Sequence, residues 1–164
     1  AKESGAPLAM WEADAGNLPK NLSAVATAID LPLVPDLPSL ADIQKRMAEA
    51  ANGFIYERLI RQFRIRQSVG DGDSSTERVW LWNMGGGALV AVPFEAYSSF
   101  QRELRALVPH CLVLNISNGS LGYLPPQAFY EGPSLYAVWQ TPFAKGSLET
   151  VTQIAKQSLG TNKK

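Results

Sequence analysis

The feature that most constrains the fold is a series of three segments: an apolar run, an amphipathic run and a second apolar run. The first reads ALVAVPF and the last reads HCLVLNI. Between them, EAYSSFQRELRALV places apolar side chains on one side of a helix: Tyr97, Phe100, Leu104 and Leu107. A strand, a helix and a strand of these lengths favour two parallel strands joined by a right-handed crossover. Because the last run is apolar throughout, we expect both of its faces to be covered.

The flanking segments add antiparallel strands and further helices to this unit. RVWLWNM and ALVAVPF, separated by a glycine turn, predict a hairpin, and AIDLPLV predicts an edge strand, where proline is tolerated. Residues 38–66 predict one long helix that begins near Ser39 and has Gly53 as its weak point. SLETVTQIAKQSL predicts a final helix. The fold class is therefore α/β, with a mixed sheet that contains a parallel strand-helix-strand unit and is flanked by helices.

Length and charge limit the classes of protein that this chain can belong to. Its 164 residues suit a single domain, in which residues 1–37 form a loose lead rich in proline and glycine. Fifteen basic residues balance fifteen acidic ones, so no overall charge points to nucleic acid. One cysteine permits neither an internal disulfide nor a cysteine-based metal cluster. No apolar run has the length of a transmembrane segment.

A long irregular stretch, NISNGSLGYLPPQAFYEG, covers residues 115–132 directly after the last apolar run. Long loops without secondary structure are either functional or disordered, and disordered segments rarely hold this many aromatic residues. We therefore expect an ordered loop that belongs to a site. Its Tyr123, which follows Gly122, is either a surface plug over the core or a phenol that contacts a ligand.

Glu95 ends an apolar run and opens a helix, which allows two interpretations. A carboxylate there complements the helix dipole, or it belongs to a site at the carboxyl ends of parallel strands. If the two strands are parallel, Glu95 and Tyr123 approach a common point. The only histidine, His110, is interpreted as structural. Five arginines in the long helix, at positions 46, 58, 61, 64 and 66, are interpreted as a solvated face rather than a nucleic-acid or membrane patch.

Three segments together resemble a known family: ALVAVPFEAYSSFQRELR, LVLNISNGSLGYLPPQAFYEG and LYAVWQTPFAKGSLETV. They are similar to the C-terminal part of the catalytic domain of neutral/alkaline ceramidases and their bacterial relatives. The similarity covers residues 78–155. It implies that the chain, if not a single domain, is the C-terminal subdomain of a larger hydrolase. The parent protein would then be secreted or periplasmic.

The family consists of zinc amidases that cleave the N-acyl bond of ceramide, and the resemblance assigns roles to four residues. Glu95 and Tyr123 fall on metal ligands, Tyr136 falls near a catalytic tyrosine that binds or polarises the substrate amide, and Asn118 matches a loop residue that supports the substrate or the loop. Two departures are Phe94, where the family has a small residue and where a ring would crowd the pocket, and Ala137, where the family has Glu.

The family's two histidine ligands and its catalytic serine lie upstream of the similar region and have no counterpart here. The resemblance therefore implies zinc in a full-length protein, a missing N-terminal part or partner chain, a ceramide-like lipid substrate, and an isolated chain that is inactive and binds no zinc tightly. The alternative is a non-catalytic binding or assembly module that keeps the fold without the metal site. A third idea is contact of the helical FIYERLIRQFRIRQ segment with a lipid surface.

Overall fold

The chain forms an α/β fold in a computed structural model that describes residues 22–50, 53–132 and 135–161. The strands are β1 (Leu22–Pro32), β2 (Ser74–Met84), β3 (Gly87–Ala91), β4 (Glu95–Ala96), β5 (His110–Leu114) and β6 (Tyr123–Leu124). The helices are α1 (Leu40–Ala50), α2 (Phe54–Val69), α3 (Ser98–Leu107), α4 (Tyr136–Gln140) and α5 (Ser147–Thr161), with a 3₁₀ helix at Gln127–Glu131. None of the helices in these ranges is long and apolar enough to cross a membrane.

The main sheet has four strands in the order β1-β2-β3-β5. β1, β2 and β3 are antiparallel neighbours, and β3 pairs with β5 in parallel, with Ala88 opposite Cys111. Helix α3 joins these two strands, so the predicted hairpin and the predicted parallel strand-helix-strand unit are both confirmed. β4 and β6 form a separate parallel pair just beyond the ends of β3 and β5.

The two faces of the main sheet differ in burial. Alternate side chains of the strands form the inner face and are buried with α3, α5 and the end of α2 in one core: Ile29, Leu31, Val79, Leu81, Ala88, Val90 and Cys111. The intervening side chains form the outer face, where Leu112 is 53% exposed and Leu114 is 47% exposed. The expectation that both faces of β5 are covered is therefore wrong for the described residues. β5 is an edge strand, and the helices that it contacts lie on one side of the sheet.

The predicted lead at residues 1–37 contains more regular structure than expected. β1 takes up Leu22–Pro32 and pairs along its whole length with β2, which confirms an edge strand but extends it. Pro32 is the last residue of this strand, where its missing N–H interrupts no further pairing. The part of the predicted lead at residues 1–21 lies outside the described residues.

The single helix predicted for residues 38–66 is wrong, because the structure has two helices there. Ser39 begins the first as predicted, since its hydroxyl accepts a hydrogen bond from the Asp42 N–H at 3.1 Å. Gly53 directly precedes α2 and has φ 92°. A residue with this backbone conformation cannot continue a right-handed helix. Apolar residues recur at every fourth position through 43–63, a spacing typical of one amphipathic helix, but their burial is divided: Ile43 and Leu59 are buried, whereas Ile55 is 64% exposed.

Candidate functional site

The backbone brings Glu95 and Tyr123 together. They are register partners in the parallel pair of β4 and β6, and the Glu95 N–H donates to the Gly122 carbonyl at 2.9 Å. β4 follows β3 closely and β6 follows the loop after β5, so the pair continues the carboxyl edge of the main sheet. The prediction that these two residues are neighbours is confirmed, and their role as ligands stays a prediction.

The loop between β5 and β6 is fixed by hydrogen bonds to the segment 92–95. The N–H groups of Ile116, Ser117 and Leu121 donate to the carbonyls of Phe94, Val92 and Pro93 at 3.3, 2.9 and 3.0 Å. The side-chain amide of Asn115 donates to the Ala96 carbonyl at 3.0 Å. These bonds satisfy backbone groups that an irregular loop would otherwise leave unpaired. The loop is therefore built onto the strand that carries Glu95.

The position directly before Tyr123 requires a glycine, Gly122. Its φ is 83°, and a Cβ atom at this position would lie 2.6 Å from the backbone oxygen of Gln140. Only glycine combines a positive φ with so close an approach. The close contact sets α4, which contains Tyr136, against the strand that carries Tyr123.

These elements surround a cleft of about 380 Å³, a size typical of small-molecule sites. The rings of Tyr123 and Tyr136 meet edge to face in it, with centroids 5.7 Å apart. Arg61 Nη1 donates to the Tyr136 hydroxyl at 3.3 Å. The cleft is lined by Arg61, Arg64, Ile65, Glu95, Ile116, Ser120, Gly122, Tyr123, Tyr136 and Gln140.

The phenol of Tyr123 is held in its neutral form at neutral pH. Burial raises the pKa of Tyr123, and the Glu95 carboxylate raises it further through its negative charge and a hydrogen bond. The phenol therefore keeps its proton beside the carboxylate. Two guanidinium groups and one carboxylate line the cleft, so its lining carries one net positive charge.

Tyr136 is held by α2 as well as by Tyr123. Its ring lies 6.3 Å from that of Trp139, and the Arg58 guanidinium lies 3.6 Å above the Trp139 ring and 5.2 Å from the Phe54 ring. A cation stacked on an aromatic face at this distance is attractive. The stack ties the short helix α4 to α2 and so fixes the wall of the cleft that carries Tyr136.

The structure places three of the four predicted site residues on one cleft and the fourth elsewhere. Glu95, Tyr123 and Tyr136 line it, whereas Asn118 lies in a separate depression beside Pro93. Asn118 has φ 56°, a left-handed conformation that asparagine tolerates, which suits a role in loop support. Phe94 does not crowd the cleft as expected, because its ring is fully buried and packs against Phe143.

The sequence does not indicate several residues of the cleft, among them Arg61, Arg64 and Gln140. Arg61 and Arg64 are exposed, as a solvated helix face predicts, and their spacing also places both on the side of α2 that borders the cleft. The interpretation is wrong for Arg66, which is 7% exposed. Gln140 is 5% exposed and its Nε2 atom has no hydrogen-bond partner. Nothing in the local sequence around Gln140 indicates that α4 packs against β6.

Only two described residues bear on the zinc that the resemblance implies. Glu95 and Tyr123 lie opposite each other on paired strands, and carboxylate oxygens are among the ligands that zinc takes in proteins. Zinc in proteins takes three or four protein ligands. No group of three His, Cys, Asp or Glu residues suited to a metal occurs among residues 22–50, 53–132 and 135–161. His110 pairs with Gly87 at the opposite end of β3 and β5. The described residues of the cleft thus supply at most two of the ligands that a zinc ion takes, and their role as ligands stays a prediction.

The fold and the cleft thus define a class of protein: an α/β unit with a carboxylate and two phenols at the carboxyl edge of its sheet. No protein-family model and no curated protein matches the chain. Among solved structures it is similar to neutral ceramidase from Pseudomonas aeruginosa, with a TM-score of 0.49 and 12% identity. The similarity covers 83% of this chain and 27% of that one, and amounts to a distant relationship at most.

Proposed function

We propose that this chain provides one half of a composite amidase site that cleaves an N-acyl bond of ceramide-like lipids. The pairing of Glu95 with Tyr123 on one cleft with Tyr136 carries the proposal. The resemblance of residues 78–155 to the ceramidase family supports the reaction class. An N-terminal part of the same protein, or a partner chain, supplies the histidine ligands and the nucleophile.

Three residues of the cleft have a specific role in this proposal. Glu95 supplies a negatively charged oxygen ligand beside the Tyr123 phenol, its register partner. Tyr123 supplies the second oxygen. Tyr136 accepts a hydrogen bond from Arg61, which leaves its own hydroxyl proton free to donate to the oxygen of the substrate amide. A zinc ion held there would polarise the amide carbonyl and lower the pKa of a bound water.

The apolar walls of the cleft suit an acyl substrate. Ile65 and Ile116 line the same space as the polar groups, and the tyrosine rings add further apolar area. Hydrolysis of an amide breaks the C–N bond and adds water, leaving a carboxylate and an amine. The proposal also includes a secreted or periplasmic parent protein, as the resemblance implies.

Metal content of the complete parent protein tests this proposal. Purified without chelators, the wild type is expected to hold about one zinc per chain, and Glu95→Gln and Tyr123→Phe are expected to lower zinc affinity at least about tenfold. Glu103→Gln is the matched control, because Glu103 is an exposed carboxylate on α3 that pairs with Lys156. Wild-type protein without zinc, or with zinc that both variants retain, contradicts the proposal.

The chain alone is expected to be inactive. With added zinc it should release no product from a fluorogenic N-acylsphingosine above a buffer blank, because it provides only two of the ligands and no nucleophile. Hydrolysis that a chelator abolishes would overturn the composite site.

A binding or assembly module without metal is the second candidate. Arg61 and Arg64 favour it, because two guanidinium groups oppose a cation in the same cleft. This candidate predicts no zinc in the complete protein and no change on Glu95→Gln, so the same measurement separates the two functions.

A further inference from the structure

We infer that the cleft binds a monocarboxylate with a short apolar body, whose charged group lies between Arg61 and Arg64. The acid released by amide hydrolysis belongs to this ligand class, and to that extent the inference deepens the proposed function. The argument itself uses neither a metal nor the missing part of the site.

The first step concerns the two arginines. Arg61 and Arg64 are three residues apart on α2, so their Cβ atoms are about 5–6 Å apart on one side of the helix. Both line the cleft, and no described Asp or Glu lies within ion-pair distance of either. Guanidinium groups bind carboxylates through two parallel hydrogen bonds, a geometry that lysine does not provide.

The second step is an independent feature of the same cleft. Gln140 is 5% exposed, lines the cleft and has a side-chain Nε2 atom without a hydrogen-bond partner in the described structure. A buried donor without an acceptor costs free energy, which a ligand oxygen would recover once the Gln140 amide turns toward the cleft. Arg61, Arg64 and Gln140 thus line one space, in which the only described side-chain acceptor bonded to them is the Tyr136 hydroxyl that Arg61 contacts.

The third step sets the charge of the ligand. Glu95 also lines the cleft, so the lining has one net positive charge rather than two. A monoanion neutralises this charge, whereas a phosphate dianion exceeds it and meets the Glu95 carboxylate at close range. A carboxylate is therefore the better match among common anions.

The fourth step concerns the remainder of the ligand. Ile65 and Ile116 contribute apolar side chains to the lining, and the rings of Tyr123 and Tyr136 form a wall between the polar groups. A small inorganic anion would leave these surfaces in water. An alkyl chain attached to the carboxylate would cover them and remove this apolar surface from water, which favours binding.

Calorimetric titration of the full 164-residue chain at low salt tests the inference, with octanoate, octanol and octyl phosphate as ligands. Octanoate is expected to bind at least about tenfold more tightly than octanol, because hydrogen bonds to charged groups contribute about 1.5–3 kcal/mol. Arg64→Gln should weaken octanoate about tenfold and leave octanol unchanged. Arg102→Gln, an exposed arginine on α3, is the matched control and should change neither.

Three outcomes would overturn the inference: equal binding of octanoate and octanol, octanoate binding that Arg64→Gln leaves intact, or tighter binding of octyl phosphate than of octanoate. Glu95→Gln separates the inference from the proposed function. Removing this carboxylate should strengthen octanoate binding by the isolated chain, because it removes a like charge, and it should weaken zinc binding in the complete protein. Failure of one result leaves the other standing.

Discussion

Side chains alternate between the inner and the outer face of the main sheet, and the two faces differ in burial. Leu81 on the inner face is 1% exposed and packs in the core, whereas Leu112 on the outer face is 53% exposed. Both are leucines on strands of one sheet. Strand pairing positions both sets of side chains, but among the described residues the core forms on the face beneath α3 and α5.

The outer face also holds a largely apolar groove of about 440 Å³ that runs along the paired ends of β1 and β2 and reaches β3. Its lining includes Leu22, Trp82, Met84 and Leu89. Exposed apolar areas of this kind are typical of surfaces that contact another protein segment. The inner face therefore holds residues that stabilise the chain, whereas the outer face carries apolar side chains that the described residues leave largely exposed.

Leu81→Ala gives the largest expected effect and tests the covered face. Leu81 belongs to the buried cluster, so truncation removes apolar contacts and leaves a cavity. We expect the free energy of unfolding to fall by about 2–5 kcal/mol in urea denaturation followed by circular dichroism. A loss below about 1 kcal/mol would mean that the inner face is not the tightly packed one.

Gly122→Ala tests the layer of loops at the edge of the covered face. The new Cβ would meet the Gln140 backbone oxygen at 2.6 Å, and φ is 83°. We expect a loss of about 2–3 kcal/mol in the same denaturation measurement. Gly146→Ala is the control for conformational strain alone, because that glycine has φ 93° but nothing within 4 Å of its Cβ position. Equal losses in the two variants would show that the contact with α4 is unimportant.

Tyr130 tests how the loop layer responds to pH. Its hydroxyl donates to the Phe143 carbonyl at 2.8 Å, and burial raises the pKa of Tyr130 to about 12. Because the folded pKa exceeds the ordinary value of about 10, this contribution is complete below pH 10 and is lost as pH rises toward 12. Tyr130→Phe should cost about 1 kcal/mol at pH 7.

The difference in unfolding free energy between wild type and Tyr130→Phe should therefore shrink between pH 10 and pH 12 in denaturation series at matched ionic strength. A difference that stays constant over this range would contradict a buried, hydrogen-bonded phenol.

Leu112→Ala gives the smallest expected effect and tests the open face. Because Leu112 is more than half exposed, its truncation should change the free energy of unfolding by no more than about 0.5 kcal/mol. The measurement is the one used for Leu81→Ala, so the two variants form a matched pair. A loss above about 2 kcal/mol would show that the outer face is covered within the chain itself.

The sequence predicts how the strands of the sheet pair better than it predicts which elements cover them. The parallel pairing of β3 and β5 and the closeness of Glu95 and Tyr123 follow from segment order, because a crossover helix places both carboxyl ends at one edge. The covering of β5 does not follow from segment order. An apolar strand has the same sequence pattern whether its second face contacts a helix, another protein segment or water.

Helix boundaries and cleft residues depend on tertiary contacts that local patterns do not contain. Gly53 was recognised as a weak point, yet apolar residues at every fourth position favoured one helix over two. Arg61 and Gln140 line the same cleft although they are far apart in sequence, because α2 contacts α4 through Arg61 with Tyr136 and Arg58 with Trp139. The resemblance indicated Glu95, Tyr123 and Tyr136 but contained nothing about the arginines of α2.

The hydrogen bonds between the loop and residues 92–95 have a consequence for how long the site stays assembled. The Leu121 N–H is bonded to Pro93, and the Glu95 N–H is bonded to Gly122, so neither amide can exchange its hydrogen with water until this pairing separates. Glu95 and Leu121 therefore belong to one cooperative opening unit. Glu95 and Tyr123 therefore stay register partners for the closed lifetime of that backbone unit, while their side chains change rotamer on a shorter timescale.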